Sequence, residues 1–207
     1  IGQYPILWHI MKIYSHYGIK DFVICCGYKG YMIKEFFANY ILHTNDVEID
    51  ISQNKVKVLN NGHKNDNDNW KITLVDTGEN SETGGRIKRI KKYIDSTFCL
   101  TYGDGIGSID ISKLIKFNKK KKKIATMTVV NPPGRFGTTI LEKNIIKQFD
   151  EKKISQEGWI NGGFFVLEPK IFDYLDNDKT IWEAKPLKLL AKQKQLQAYK
   201  HNGFWQP

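Results

Sequence analysis

An α/β fold is expected for this chain of 207 residues, built on a mostly parallel sheet flanked by helices. Three observations point to it. Apolar runs of strand length, such as Phe22 to Cys26, alternate with segments whose apolar residues recur at helical spacing. The helical segments are long enough to act as βαβ crossovers, which join parallel neighbours and cover both faces of a sheet. From Gly134 onward the rhythm changes to shorter strands and turns, which marks a smaller β-rich part. Hydrophobic residues make up 41% of the chain, enough for one substantial core. No internal repeat and no linker interrupts the pattern, so a single domain over residues 1–207 is expected.

Taken in order, Pro5 opens a first helix, where its missing N–H costs nothing. Ile6, Leu7, Ile10, Met11, Ile13, Tyr14 and Tyr17 form its apolar stripe, and Gly18 stops it. Asp21 to Cys26 reads as a buried strand ended by Gly27, and Met32 to Leu42 as a helix with Ile33, Phe36, Phe37 and Tyr40 inward. Val47 to Ser52 and Lys55 to Leu59 read as a hairpin turning at Gln53-Asn54, followed by a polar loop from Asn60 to Asn69. Lys71 to Val75 is a strand, Gly85 to Tyr93 a basic helix and Thr97 to Thr101 a buried strand. Ser112 to Asn118 is helical, and strands follow at Ile124 to Val130, Thr138 to Leu141, Ile145 to Phe149 and Ile160 to Leu167. Helices at Lys170 to Leu175 and Pro186 to Gln193 and a strand at Leu196 to His201 complete the reading.

Several function classes fall away on composition. No run approaches the roughly 18–20 apolar residues of a membrane span, so no membrane partner is expected. The chain opens on Ile1, so nothing is read about a leader. The net charge of +10 invites a nucleic-acid partner, but much of the excess lies in Lys119 to Lys123 and in Lys88, Arg89, Lys91 and Lys92, which read as solvated faces. With no nucleic-acid motif of interleaved aromatics, no nucleic-acid partner is expected. Cys25, Cys26 and Cys99 lie in apolar strands without ligand spacing, which suits reduced, buried thiols in the cytoplasm. The histidines show no ligand spacing, and Ser or Cys nucleophile motifs are absent.

Three segments carry possible chemistry. In Leu100-Thr-Tyr-Gly-Asp-Gly105 an apolar strand runs into an acid bracketed by glycines, at the sheet end where α/β proteins bind ligands. An Asp there can hold Mg²⁺, a hard cation, while the glycines admit a bulky anion; an ordinary Gly-Asp-Gly turn explains the residues as well. In Asp76-Thr-Gly-Glu-Asn-Ser-Glu-Thr-Gly-Gly-Arg86, small residues lead into a helix, which suits phosphate or a nucleobase with Arg86 on phosphate oxygens. A plain surface loop is the competing reading. The third set is Gly134 to Gly137, Phe149-Asp-Glu-Lys152 and Ile160-Asn-Gly-Gly163, where Glu and Asn suit sugar hydroxyls and Lys a sugar phosphate. Glu151-Lys152 on its own reads more simply as a charged hairpin turn.

Together, Pro5 to Met11, Gly18 to Phe22, Cys25-Cys-Gly-Tyr-Lys-Gly30, Leu74 to Gly78, Thr83-Gly-Gly-Arg86, Thr101 to Gly105, Pro133 to Gly137, Ile160 to Leu167 and Gly203-Phe-Trp-Gln-Pro207 resemble the glucose-1-phosphate cytidylyltransferases, of the sugar-1-phosphate nucleotidyltransferase family. The resemblance implies a Rossmann-like mixed sheet flanked by helices, of the nucleotidyltransferase type, with a small β-rich sugar-binding part. It implies a cytoplasmic homo-oligomer that converts CTP and α-D-glucose 1-phosphate to CDP-glucose and pyrophosphate, for nucleotide sugars of lipopolysaccharide O-antigen. It places Mg²⁺ on Asp104 and the nucleotide on Ser81, Thr83, Gly84, Gly85, Arg86 and Gly103. Glucose 1-phosphate falls to Gly137, Glu151, Lys152, Asn161 and Gly162, with Arg86, Asp104 and Lys152 catalytic.

The match has departures. Family members begin with a strand and a Gly-Thr-Arg loop, which would precede Ile1, and continue past Pro207 to a Met-Asp pair whose acid is a second Mg²⁺ ligand. These residues alone are therefore expected to be inactive. Lys153 stands where the family has Pro, and Lys185 where an acid is expected. A relative using UTP or dTTP, or a non-catalytic sugar-nucleotide-binding domain, is the alternative.

Overall fold

A computed structural model describes residues 2–59, 69–131, 138–142, 145–150 and 158–207. Helix α1 runs Ile6–His16 after Pro5, and Gly18 lies beyond its end at φ +82°. Strand β1 is Asp21–Cys26, as the apolar run suggested. The helix expected from Met32 to Leu42 is two helices, α2 at Gly30–Ala38 and α3 at Tyr40–Thr44. They break at Asn39, where Glu35 O accepts from both the backbone N–H at 3.1 Å and the side-chain Nδ2 at 3.0 Å.

Strands β2 (Asp46–Asp50) and β3 (Lys55–Leu59) form the expected hairpin. Asp50 Oδ1 accepts from Gln53 N and Ser52 Oγ in its turn, and Asn54 takes the left-handed conformation. Of the polar loop expected next, only Asn69 lies among the described residues. Strand β4 (Lys71–Asp76) leads to α4 (Thr83–Arg89), shorter than expected, and a 3₁₀ turn at Lys91–Tyr93. Then come β5 (Phe98–Thr101), β6 (Ile106–Gly107), α5 (Ile111–Lys121) and β7 (Ala125–Val130). The Asp110 side chain caps α5 by accepting from Lys113 N at 2.9 Å.

Hairpin strands β8 (Thr138–Glu142) and β9 (Ile145–Asp150) are followed by β10 (Ile160–Leu167). The segment expected as a helix at Lys170 to Leu175 is a 3₁₀ helix, Pro169–Tyr174. Helix α6 (Lys185–Lys192), β11 (Leu196–His201) and β12 (Trp205–Gln206) end the chain.

These elements form two compact units. The first gathers Ile1–Tyr17, Ile94–Tyr174 and Leu187–Pro207. Its sheet has the order β11-β7-β10-β5, with β11 parallel to β7 and β10 antiparallel to both of its neighbours. Among the described residues, the stretch between β7 and β10 holds the β8–β9 hairpin, and the chain returns antiparallel. Phe164, Phe165, Val166 and Leu167 of β10 are buried, and so are Ile10, Met11, Leu114, Ile171 and Leu190 of the same unit.

The second unit comprises Gly18–Tyr93 and Leu175–Pro186. It contains the parallel pair β1–β4, in register from Asp21↔Lys71 to Cys26↔Asp76, and the β2–β3 ribbon. Cys26, Val75, Ile87, Ile90 and Trp182 are buried in it. The three cysteines are free, and burial pushes the Cys25 thiol up to about 11 and that of Cys99 to about 12. No helix among the described residues is long and apolar enough to cross a membrane.

Candidate functional site

In the second unit the parallel register brings the carboxyl ends of β1 and β4 together at Cys26 and Asp76. The chain leaves β4 through a turn tied back to β1, because Thr77 N and Oγ1 both donate to Cys26 O, at 2.8 and 3.0 Å. Asp76 Oδ1 accepts from Gly78 N at 2.9 Å, and Gly78 adopts φ +81°. The Arg86 guanidinium reaches back from α4 over this turn. Its Nη1 donates to Thr77 Oγ1 at 3.1 Å and to Gly78 O at 2.9 Å, and Nη2 donates to Glu79 O at 3.1 Å.

That path crosses the backbone at Gly27. A Cβ there would stand 1.7 Å from Arg86 Nη1, so only glycine lets the guanidinium through. In the sequence Gly27 marks the end of a strand, and its close approach to Arg86 has no local signature.

The other nucleotide-side residues pack on their own chain. Thr83 Oγ1 donates to Glu183 Oε2 at 2.7 Å and accepts from Trp182 N at 2.9 Å. Glu82 N donates to Asp178 O and Gly85 N to Thr180 O, at 2.8 and 3.1 Å. A Cβ at Gly84 would lie 2.7 Å from Thr180 O, and one at Gly85 2.4 Å from Asp178 O. The two glycines thus admit the 178–180 backbone. Arg89 locks the same segment with two bonds to the Asp178 carboxylate, at 2.9 and 2.6 Å, which hold that carboxyl below its usual range. Ser81 is buried beside this turn.

In the first unit, β5 delivers Tyr102 to Gly105, and Gly103 and Asp104 are exposed. Beside it, the pairing of β10 shifts between Asn161 and Phe165, a bulge around Gly163 at φ +76°. Tyr102 N and Thr101 Oγ1 both donate to Gly163 O, at 3.1 and 2.9 Å. Asn161 Nδ2 donates to Tyr102 OH at 3.0 Å, while Asn161 Oδ1 accepts from Gly163 N at 2.9 Å. Trp205 Nε1 donates to Gly162 O at 2.8 Å. The structure therefore bonds Tyr102, the residue before Gly103 and Asp104, to Asn161 and Gly163. Gly137, Glu151 and Lys152 lie outside the described residues.

Tyr102, Gly163 and Trp205 lie within the motifs of the sequence, which assign none of them a ligand. The second glycine of Asn161-Gly-Gly163 was the available hint, since a left-handed residue favours glycine. For a metal, Asp104 presents an exposed carboxylate, and no group of three or more His, Cys, Asp or Glu side chains converges among the described residues. One carboxylate suits Mg²⁺, which usually completes its shell with substrate phosphates and water.

Comparison with known proteins bears on both units. The pattern of the family described as nucleotidyl transferase matches residues 1–206. A glucose-1-phosphate cytidylyltransferase from Salmonella typhi is 52% identical over 209 residues, spanning 100% of this chain and 80% of that protein. A probable glucose-1-phosphate cytidylyltransferase from Bacillus subtilis is 47% identical over 207 residues, 99% of this chain and 79% of the relative. Among solved structures, a putative glucose-1-phosphate thymidylyltransferase from Bacillus anthracis superposes with a TM-score of 0.65 at 17% identity, over 99% of this chain and 77% of that one. At that identity the likeness concerns the fold alone.

Proposed function

The chain belongs to the nucleotidyl transferase family, and from that premise we propose that it transfers the cytidylyl group of CTP to α-D-glucose 1-phosphate, giving CDP-glucose and pyrophosphate. The observation that carries this reading is 52% identity to a glucose-1-phosphate cytidylyltransferase along the whole of this chain.

In the reaction a phosphate oxygen of the sugar phosphate forms a bond to the α-phosphorus of CTP. The bond from that phosphorus to the bridging oxygen breaks, and pyrophosphate leaves in line. The protein's share is positioning and charge neutralisation. Asp104 would hold Mg²⁺, which when bound neutralises charge on the phosphates. Ser81, Thr83, Gly84, Gly85, Arg86 and Gly103 serve the nucleotide, and the three bonds from Arg86 to the 77–79 turn give it a bracing role there. Asn161 and Gly162, with Gly137, Glu151 and Lys152, hold the glucose 1-phosphate. We place the protein in the cytoplasm as a homo-oligomer that supplies CDP-glucose for lipopolysaccharide O-antigen.

The test is a panel of CTP, UTP, dTTP and ATP with glucose 1-phosphate and Mg²⁺, using protein expressed from the complete reading frame and following pyrophosphate release. CTP is expected to give the highest kcat/KM. Preference for UTP or dTTP would overturn the cytidylyl assignment, and activity undiminished by EDTA would overturn the metal.

A further inference from the structure

We propose that Trp205 is a positioning residue for the sugar-phosphate side of this reaction, acting through the carbonyl of Gly162; the proposal rests on the nucleotidyl-transfer reading above. The bulge in β10 interrupts its ladder with β7 between Asn161 and Phe165. A bulged residue lacks regular ladder partners, so something else must orient its carbonyl. The indole does this, with Nε1 donating to Gly162 O at 2.8 Å. Gly162 is also pressed against β7, where a Cβ would lie 2.9 Å from Val130 Cγ1 and 3.1 Å from Thr128 O. The backbone at Gly162 is thus held by both β7 and the indole.

The clamp reaches the side chain of Asn161. Its amide is held at both ends, by Tyr102 OH and by Gly163 N, so its direction follows from where the bulge sits. Tyr102 also limits the bulge, because a Cβ on Gly163 would meet its ring at 2.9 Å.

Trp205 is itself fixed to the turn that carries Asp104. Strand β12 pairs antiparallel with β6, Trp205 opposite Gly107 and Gln206 opposite Ile106. Ser108 N donates to Phe204 O at 2.9 Å and extends the pairing. Strand β6 starts two residues after Asp104. One short strand therefore ties the Asp104 turn by its backbone and the Asn161–Gly163 bulge by a single N–H. The tryptophan indole is a donor only, so phenylalanine keeps most of the ring and deletes the contact.

The experiment compares wild type, Trp205→Phe, Tyr102→Phe and the double variant, in protein from the complete reading frame, varying CTP and glucose 1-phosphate separately. Each single variant is expected to raise KM for glucose 1-phosphate by about 3- to 10-fold, the scale of one hydrogen bond, with KM for CTP near wild type. Because both act on one bulge, the double variant is expected to lose less than the product of the single effects. Unchanged kinetics, equal rises in both KM values, or a lower thermal midpoint with the KM ratio unchanged would overturn the proposal. If Trp205→Phe does not fold, Tyr102→Phe carries the same KM test. A wild type that does not turn over CTP and glucose 1-phosphate instead removes the reaction itself, a separate failure.

Discussion

Placing alanine at Gly27 probes how the second unit holds the turn after β4. The new methyl carbon would stand 1.7 Å from Arg86 Nη1, so the guanidinium must swing away. It is the end of a flexible side chain and can do so, at the expense of its bonds to Thr77 Oγ1, Gly78 O and Glu79 O. The group is only partly buried, so each bond is worth about 1 kcal/mol and the set about 3 kcal/mol. Gly27 is not among the glycines with positive φ. Alanine there would otherwise stabilise by about 0.4–1 kcal/mol through the unfolded chain. The sign should therefore depend on Arg86. Gly27→Ala is expected to cost about 2–3 kcal/mol in the native background and to stabilise by about 0.5 kcal/mol once Arg86→Ala has removed the obstacle. Urea unfolding of the four chains, with m-values checked for constancy, completes the cycle. An equal cost in both backgrounds refutes the reasoning.

Two further outcomes follow from the same structure. The Cys25 and Cys99 thiols ionise near 11 and 12 in the folded chain, against 9.0 for an unperturbed thiol, chiefly because burial disfavours the thiolate. Their contribution is complete below pH 9.0 and is lost as pH rises toward those values, so the urea midpoint should fall between pH 8 and about pH 10. Replacing both by alanine should flatten that slope; an identical slope ends the argument. Asp104 is exposed, so Asp104→Asn should leave the thermal midpoint in place. It should lower kcat/KM by about 100-fold or more if that carboxylate holds the metal; near-native turnover excludes it.

Much of the fold was legible because it is written in local periodicity. Strands β1, β4, β10 and β11 stand within a residue of the apolar runs that predicted them. The helix from Met32 to Leu42 kept its apolar spacing in sequence yet broke at Asn39, where a side-chain amide shares the Glu35 carbonyl with its own backbone N–H. Strands β6 and β12 have two residues each, too few for any period, and exist only because they pair with each other. The candidate site was legible as motifs and not as geometry. Thr83-Gly-Gly-Arg86 stood out as a run of small residues before a basic one, but that its glycines admit the 178–180 backbone could not be inferred from spacing.

The sequence by itself determined an α/β chain of the nucleotidyl transferase family, with an acid bracketed by glycines at the end of β5 and a small-residue run leading into α4. These depend on residue types and near-neighbour spacing. Only the tertiary structure decided that Arg86 passes over Gly27 to brace the 77–79 turn, and that Trp205 pins the carbonyl of Gly162. Those contacts are set by strand register and by how closely two backbones approach, and Trp205 stands 43 residues from the carbonyl it holds. No local pattern carries that distance; packing does.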